Sequence, residues 1–509
     1  MSRSIMSNSL INAAAGMLLL IIGFACSVIV ARLLGPAANG TVAFALWIAA
    51  TGSLIAELGT GVLLLRVLPQ LAAKGVTARE RRGFAAYLAL PVLLSTTLLA
   101  ALYALFCWKG GGLEWTDATT GVAVLTTALL FIQSVGSFTK NYLIGEKRLG
   151  TFFVFTAITS VLQLGIVLVG ALFAGVEGAL LGYIAGQSVF FLYTLGILFT
   201  RRNKAGQSAR ALAATSLLVF FEFVITAIFL TRPELVFLQH FRTTQDVGFY
   251  AVALSLANLA LQLPVQLTGS LIPFYAERHE ADDGAGGTDL FASVVRSFSY
   301  ITFPLCFGLA AVAIPLVVSV YGTAFEPAGL VVAILAIGSP AYVFIQLTTQ
   351  YLYSKDQIKG RLAISGIGAI LMVAGCLVAV PLWGIIGAST VRGVVFLAMA
   401  ALLLSRVRLQ SGAGELIMVV LKVALAAIVC GVAALLVTQA LHGVTGIATG
   451  VIVGAMAYAL TLRLLAAVPG QDATVIDRLL SRLPAGIGRI ARLFFSFIAP
   501  LPAAPQVPK

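Results

Sequence analysis

The sequence predicts an all-α, polytopic membrane protein of about fourteen transmembrane helices, built as two six-helix lobes in parallel internal repeat plus two extra helices. Three observations carry that expectation. Of the 509 residues, 60% are hydrophobic and only 10% are charged, with a mean hydropathy of +1.04; a soluble chain of this length needs more charge to cover its surface. Apolar runs of roughly 20 residues, enough to cross about 30 Å of hydrocarbon, recur from end to end. Segments of the first half also reappear in the second at a nearly constant offset.

The runs fall at about 10–33, 41–66, 84–107, 118–142, 151–174, 178–199, 213–238, 248–275, 292–320, 328–352, 362–381, 384–404, 416–440 and 443–467. The first is too long for a signal-peptide core and lacks a small-residue cleavage site after it, so it is kept as a helix of the mature chain. Spans 1 and 2 are separated by "ARLLGPAANG", whose Pro36, Asn39 and Gly40 end one helix and start the next on the outer face. Basic residues then mark alternate loops: Lys74/Arg79/Arg81/Arg82, Lys147/Arg148, Arg201/Arg202/Lys204/Arg210, Arg278, Lys355/Lys359/Arg361 and Arg406/Arg408. The intervening loops hold little beyond Arg32, Lys109 and Arg242, and the turns at 175–177 and 382–383 hold no basic residue. By the positive-inside rule both termini are cytoplasmic, and the net charge of +13 reports topology and lipid contact rather than nucleic acid. The stretch Glu277 to Asp289, with both charge signs and paired glycines, reads as a flexible cytoplasmic linker between halves. After the last span, Arg478, Arg482, Arg489 and Arg492 fall within about 80° on a helical wheel, which predicts an amphipathic basic helix on the anionic leaflet.

Setting Gly40 on Gly248, a shift of 208, pairs "GTVAFAL" with "GFYAVAL". A shift of 209 pairs "TKNYLIGEKRLG" with "TTQYLYSKDQIK" and places "GVEGA" (Gly175 to Ala179) on "GIIGA" (Gly384 to Ala388). The expected organisation is therefore a six-helix lobe over 1–210, a second over 211–410, helices 13 and 14 over 411–470, and the basic tail over 471–509. An even number of helices per repeat gives both copies one orientation, with an axis along the membrane normal and a central cavity between them. This is transporter architecture. The stripes Gly178/Gly182/Gly186 and Gly446/Gly450/Gly454 read as close helix packing. The five cysteines are scattered one to a span, without metal-ligand spacing, and read as core residues.

An ionisable group at bilayer depth costs at least about 2.5 kcal/mol, so it normally faces a cavity, a partner or an interface. The candidates are Glu57 and Arg66 in span 2, Glu222, Arg232 and Glu234 in span 7, Arg392 in span 12 and Lys422 in span 13, with Arg32 and Arg242 at the outer mouth. Arg66 reads equally as a snorkelling side chain, Arg232 with Glu234 as a local ion pair, Lys422 as an anchor and Arg32 as an interfacial residue. Glu57, Glu222 and Arg392 are the best cavity candidates. Guanidinium forks suit phosphate oxygens, so several arginines on one cavity imply an anionic substrate. A buried Glu57 or Glu222 either exchanges H⁺ or Na⁺ during the cycle or neutralises an arginine.

The segments "NSLINAAAGMLLLIIGFACSVIVARLLGPAANGTVAFAL", "ELGTGVLLLRVLPQ" and "DVGFYAVAL" resemble the Wzx-like lipid-linked oligosaccharide flippases of the multidrug/oligosaccharidyl-lipid/polysaccharide exporter superfamily. The resemblance extends over the whole chain in length, span count and repeat. It implies a non-enzymatic carrier in the bacterial inner membrane that turns an undecaprenyl-pyrophosphate-linked glycan from the cytoplasmic to the periplasmic leaflet. The headgroup would pass through a cationic cavity, with no cofactor beyond a coupling H⁺ or Na⁺, and with a polysaccharide polymerase and chain-length regulator as partners. Arg32, Arg66 and Arg242 fall in or beside the matching segments and take an implied headgroup-guiding role. A lipid II flippase of the same superfamily is the main alternative. A multidrug exporter would more often stop at twelve spans, and a polymerase or ligase would carry a large outer loop. No GxxxxGK[ST] motif is present for an ATP-driven pump, and a passive scaffold gives no reason for internal charge.

Overall fold

The computed structural model describes residues 2–110, 119–204, 220–221, 224–225, 227–268, 286–354, 358–407, 413–441, 443–469 and 472. All regular structure in them is helical. The main helices are α1 (Ser2–Ala56), α2 (Thr60–Ala73), α3 (Ala78–Trp108), α4 (Thr120–Gly145), α5 (Leu149–Leu198), α6 (Glu234–Phe241), α7 (Thr244–Thr268), α8 (Gly286–Tyr321), α9 (Glu326–Ser354), α10 (Ile358–Leu404), α11 (Ala413–Ala440) and α12 (Gly443–Leu464). A π-helical turn, Ala227–Thr231, precedes α6. Among the described residues nine helices are long and apolar enough to cross a membrane. Three of the nine, Ala15–Ala56, Leu149–Leu198 and Gly360–Leu404, are each two helices joined at a kink. The described helices thus account for spans on both sides of each kink, without by themselves giving a count of fourteen.

The kinks fall where the sequence places its turns. α1 breaks at Gly35 (φ 80°), one residue before Pro36, whose ring and missing N–H stop the helix. α5 breaks at Ala174–Gly175 and folds back on itself. A Cβ on Gly170 would overlap the backbone of Gly178 and the reverse, one on Gly182 would strike Val167, and one on Gly186 would strike Gln163. These pairings run in opposite senses along the two segments, so the halves of α5 form an antiparallel hairpin. α11 and α12 pair likewise: Gly450 lies against Ala434 and Gly454 against Cys430. Both glycine stripes are packing seams, as expected.

The repeat is present in the backbone. Gly175 (φ 57°, ψ −131°) and Gly384 (φ 55°, ψ −130°), paired by the shift of 209, adopt the same glycine-only conformation. Thr139/Thr348, Tyr142/Tyr351 and Leu143/Leu352 are buried in both copies. The first repeat element also touches its own copy. A Cβ on Gly40 would fall on the Thr244 carbonyl and one on Gly248 on the Pro36 carbonyl, and Asn39 Nδ2 donates to the Gly248 carbonyl at 3.1 Å. Under the shift of 208, Pro36 corresponds to Thr244 and Gly40 to Gly248. The two contacts are therefore one contact made twice, the mark of a local two-fold axis.

The chain divides into two compact units, Met1–Val252 with Ser365–Ala388, and Ala253–Ile364 with Ser389–Lys509. The core of the first unit includes Phe84, Phe138, Phe190 and Leu64. One end of it is tied by a bidentate Arg81–Glu146 bridge at 2.8 Å and by a Thr77/Glu80 capping box at the start of α3. In the second unit, Arg296 of α8 holds Asp472, just beyond α12, at 2.7 and 2.9 Å. Tyr300 and Ser293 donate to the same carboxylate at 3.0 and 3.2 Å, and Asp472 is 0% exposed. All five cysteines are buried thiols outside any disulfide.

Two expectations need correction. Span 2 is not one helix over 41–66: the chain leaves helical geometry at Glu57–Gly59, between α1 and α2. Gly286 to Asp289, read as part of a flexible linker, begins α8. Residues 276–285 and the tail from 473 lie outside the described residues.

Candidate functional site

The interruption of span 2 is local and costly. Leu58 (φ 51°) and Gly59 (φ 75°) both lie in the left-handed region, which a leucine rarely enters and which costs of order 1–3 kcal/mol. Thr60 helps to hold the turn, donating from its hydroxyl to the Glu57 carbonyl at 2.7 Å. Ser95 donates to the Ala56 carbonyl at 2.5 Å, satisfying an acceptor left free by the end of α1. A strained, hydrogen-bonded break inside an apolar span is where membrane carriers build binding sites.

Glu57 sits at this break and is 6% exposed. Its carboxylate accepts from Asn141 Nδ2 at 3.4 Å and lies within electrostatic reach of Lys140, while the nearby Ser137 hydroxyl donates to the Ser134 carbonyl at 2.8 Å. Ser137 also receives the Ser53 hydroxyl at 3.4 Å. Ser137, Lys140 and Asn141 occur at i, i+3 and i+4 on α4, so one face of that helix presents all three. Ser53 and Glu57, spaced i and i+4, do the same from the end of α1. Lys140 Nζ, half-buried, donates to Gln187 Oε1 of α5 at 3.0 Å and stands 5.2 Å from the centre of the Phe190 ring, within cation–π range. The first unit therefore encloses a carboxylate, an ammonium and two amides inside a helical bundle.

Glu57 is the one expected site residue in this cluster. Arg66, on α2, is exposed and makes no hydrogen bond or ion pair among the described residues. Arg32 is exposed on α1, one turn before the Gly35 kink. Arg242 ends α6 and donates to the carbonyls of Val380 and Pro381 at 3.1 and 2.5 Å, so it caps the first half of α10 where that helix breaks. Arg232 is half-buried between the π-turn and α6, and Glu234, at the start of α6, is buried. Arg392 lies in the second unit, its guanidinium 4.7 Å from the centre of the Phe396 ring. Glu222 lies outside the described residues.

Lys140, Asn141 and Gln187 are absent from the expected set. Lys140 is five residues from the end of α4, a position that reads as snorkelling toward the interface. The signal that would have marked it is the polar pair Lys140–Asn141 three residues after Ser137 inside an apolar run, with Gln187 in the middle of a later one.

The model of a family described as polysaccharide biosynthesis protein matches residues 29–330. Among solved structures, the chain is similar to the lipid II flippase MurJ in an inward closed conformation, at 14% identity and a TM-score of 0.70 over 89% of this chain and 98% of that one. It is similar to an inward-facing multidrug resistance MATE family transporter of the MOP superfamily, at 14% identity and 0.57 over 80% and 98%. It is also similar to the Vibrio cholerae MATE transporter VcmN, at 15% identity and 0.52 over 80% and 97%. Likeness at these identities establishes the fold. No curated protein sequence matches the chain.

Proposed function

Because the chain belongs to the polysaccharide biosynthesis protein family, which its match over residues 29–330 establishes, and carries a MurJ- and MATE-like fold, we propose that it is a flippase for a polyprenyl-pyrophosphate-linked oligosaccharide. Undecaprenyl pyrophosphate bearing a surface-polysaccharide or O-antigen unit would be taken from the cytoplasmic leaflet of the bacterial inner membrane and released in the periplasmic leaflet. Both termini would be cytoplasmic, in keeping with the basic loops. Each lobe is proposed to be one repeat, over 1–210 and 211–410, and alternating access would be a rocking of the repeats.

The observation that carries this reading is the broken span at Glu57, with a buried carboxylate that accepts from the Asn141 amide inside a helical bundle. A headgroup in transit needs charge that changes partners, and Glu57 and Lys140 supply both signs. Arg32, Arg66, Arg232, Arg242 and Arg392 are proposed to guide the pyrophosphate, and Glu57 and Glu222 to couple its movement to H⁺ or Na⁺. A polymerase and a chain-length regulator would receive the exported unit.

The test is complementation of a chromosomal deletion, scoring surface polysaccharide against the amount of protein in the membrane. Glu57→Gln, Glu222→Gln and Arg392→Ala are each expected to lower export about tenfold or more at normal abundance, the effect of losing one charge-assisted contact. Full export in all three would remove these residues from the mechanism. A deletion that halts growth with accumulated peptidoglycan precursor, while surface glycan remains normal, would replace the oligosaccharide with lipid II, which the likeness to MurJ keeps as the second reading.

A further inference from the structure

At the end of the first unit where α3 begins, α4 ends and the hairpin of α5 both starts and finishes, two arginines meet on one tyrosine. Arg148, the residue before α5, donates from its guanidinium to the Tyr193 hydroxyl at 3.0 Å. Arg82, in the second turn of α3, stands 6.0 Å from the centre of the same ring and donates to the Gly196 carbonyl at 3.0 Å. The chain beyond α5 returns to this point: the Asn203 N–H donates to the Gly83 carbonyl at 3.1 Å, and a Cβ on Gly83 would strike the Arg201 carbonyl. Arg201, Arg202 and Lys204 are thereby brought beside the start of α3, with Lys204 Nζ 5.7 Å from the centre of the Tyr87 ring.

The carboxylates of the adjoining segments are already committed. Glu146 holds Arg81 in its bidentate bridge, and Glu80 closes the capping box on Thr77. Neither Arg82 nor Arg148 is in a salt bridge among the described residues. Arg82 Nε is moreover buried without a hydrogen-bond partner there. A charged donor left buried and unanswered costs free energy, and a second guanidinium on the same ring adds repulsion. An anion between them relieves both.

The surface around Gly196 gives the kind of anion. Leu192 (63% exposed) and Phe199 (90% exposed) share its face of α5 at i−4 and i+3. Gly196 is itself exposed, and a Cβ there would meet only Arg82, at 3.7 Å. The cations thus stand over an open apolar helix face, the juxtaposition of charge and hydrocarbon that a phospholipid matches and a soluble anion leaves unused. We propose that Arg82 and Arg148, mounted on Tyr193, bind the phosphate of an anionic phospholipid such as phosphatidylglycerol, whose acyl chains lie along Leu192, Gly196 and Phe199. Planar guanidinium forks suit the phosphate oxygens, and Arg201, Arg202 and Lys204 add attraction to the anionic leaflet. The lipid is resident, not cargo, and its site is independent of the flippase reading. Its phosphate ties the start of α3 to both ends of the α5 hairpin.

Native mass spectrometry of the full chain in detergent would compare dioleoyl-phosphatidylglycerol with dioleoyl-phosphatidylcholine, which share acyl chains. The wild type should prefer phosphatidylglycerol about tenfold and Arg82→Gln/Arg148→Gln should lose that preference, the effect of removing charge-assisted contacts. Arg82→Lys/Arg148→Lys should fall between the two. Gly196→Leu keeps every charge and should weaken phosphatidylglycerol binding several-fold without lowering the melting temperature of the lipid-free protein. Phosphatidylglycerol should raise the melting temperature of the wild type and leave that of Arg82→Gln/Arg148→Gln unchanged. Lys355→Gln/Lys359→Gln, which removes two charges from another basic loop, should bind as the wild type does. An equal loss in that control, or a preference that survives in Arg82→Gln/Arg148→Gln, would overturn the site. Displacement of phosphatidylglycerol by equimolar inorganic phosphate would make it a free-phosphate site. Displacement by farnesyl pyrophosphate at about tenfold lower concentration would make it a loading point for cargo; either result overturns the assignment to a resident phospholipid.

Discussion

Gly61 shows how one missing side chain shapes the site. A Cβ there would press on the Asn141 amide and the Glu57 carboxylate together, so Gly61→Val is expected to disrupt the cluster and reduce export at least as much as Glu57→Gln. Gly61→Ala should fall between wild type and Gly61→Val, and export equal to wild type in both variants would show that this packing has no bearing on function. At this scale the sequence was informative about charge and poor about partners. Glu57 stands out because a carboxylate in an apolar run is expensive. Lys140 does not, because a lysine near the end of a span has an ordinary interfacial explanation, and only folding reveals that it turns toward Gln187 and Phe190. Arg242 illustrates the opposite case. Its position at an outer turn suggests a guide for substrate, and folding adds a structural task that the sequence does not announce, since two of its guanidinium donors go to the carbonyls of a kink.

Elements depend on a few backbone positions that tolerate only glycine. Gly175 and Gly384 hold φ near 57° and 55° with ψ near −131° and −130°, a region closed to other residues by their Cβ. Gly175→Ala and Gly384→Ala are each expected to destabilise the protein by about 1–3 kcal/mol, and, because the geometries match, to lower the melting temperature by similar amounts. A large effect of one and none of the other would mean that the matched geometry is not matched in its demands. The turns "GVEGA" and "GIIGA" were legible as breaks between spans, since glycine and the loss of apolar periodicity mark them. The break at Glu57–Gly59 was not. There "ELGTG" sits inside a run apolar enough to read as continuous, and hydropathy averages over a three-residue interruption. The glycine stripes were legible because small residues four apart leave a groove whatever the helix faces.

At the scale of the molecule, duplication was readable from three local matches and became physical at the Pro36/Gly40 and Thr244/Gly248 contact, where a segment meets its own copy. Gly40→Val and Gly248→Val should be comparably disruptive, each driving a side chain into the other copy's backbone, and their melting temperatures would show it. The proposed topology is testable in a cysteine-free background. A cysteine at Gly112 should react with an impermeant maleimide in intact cells, and one at Ser208 only after permeabilisation; the reverse pattern would invert the protein. The bridge between Arg296 and Asp472 makes one further demand, on synthesis. Its partners are 176 residues apart, and at about 5–20 residues per second the arginine must wait roughly 9–35 seconds for its carboxylate to be made. Through that interval a nascent chain already inserted in the bilayer carries an uncompensated cation at a place destined for burial, where an unmatched partner costs about 3–5 kcal/mol. Quality-control proteases thus have a natural window in which to recognise this chain, and a premature stop anywhere before Asp472 leaves that window open.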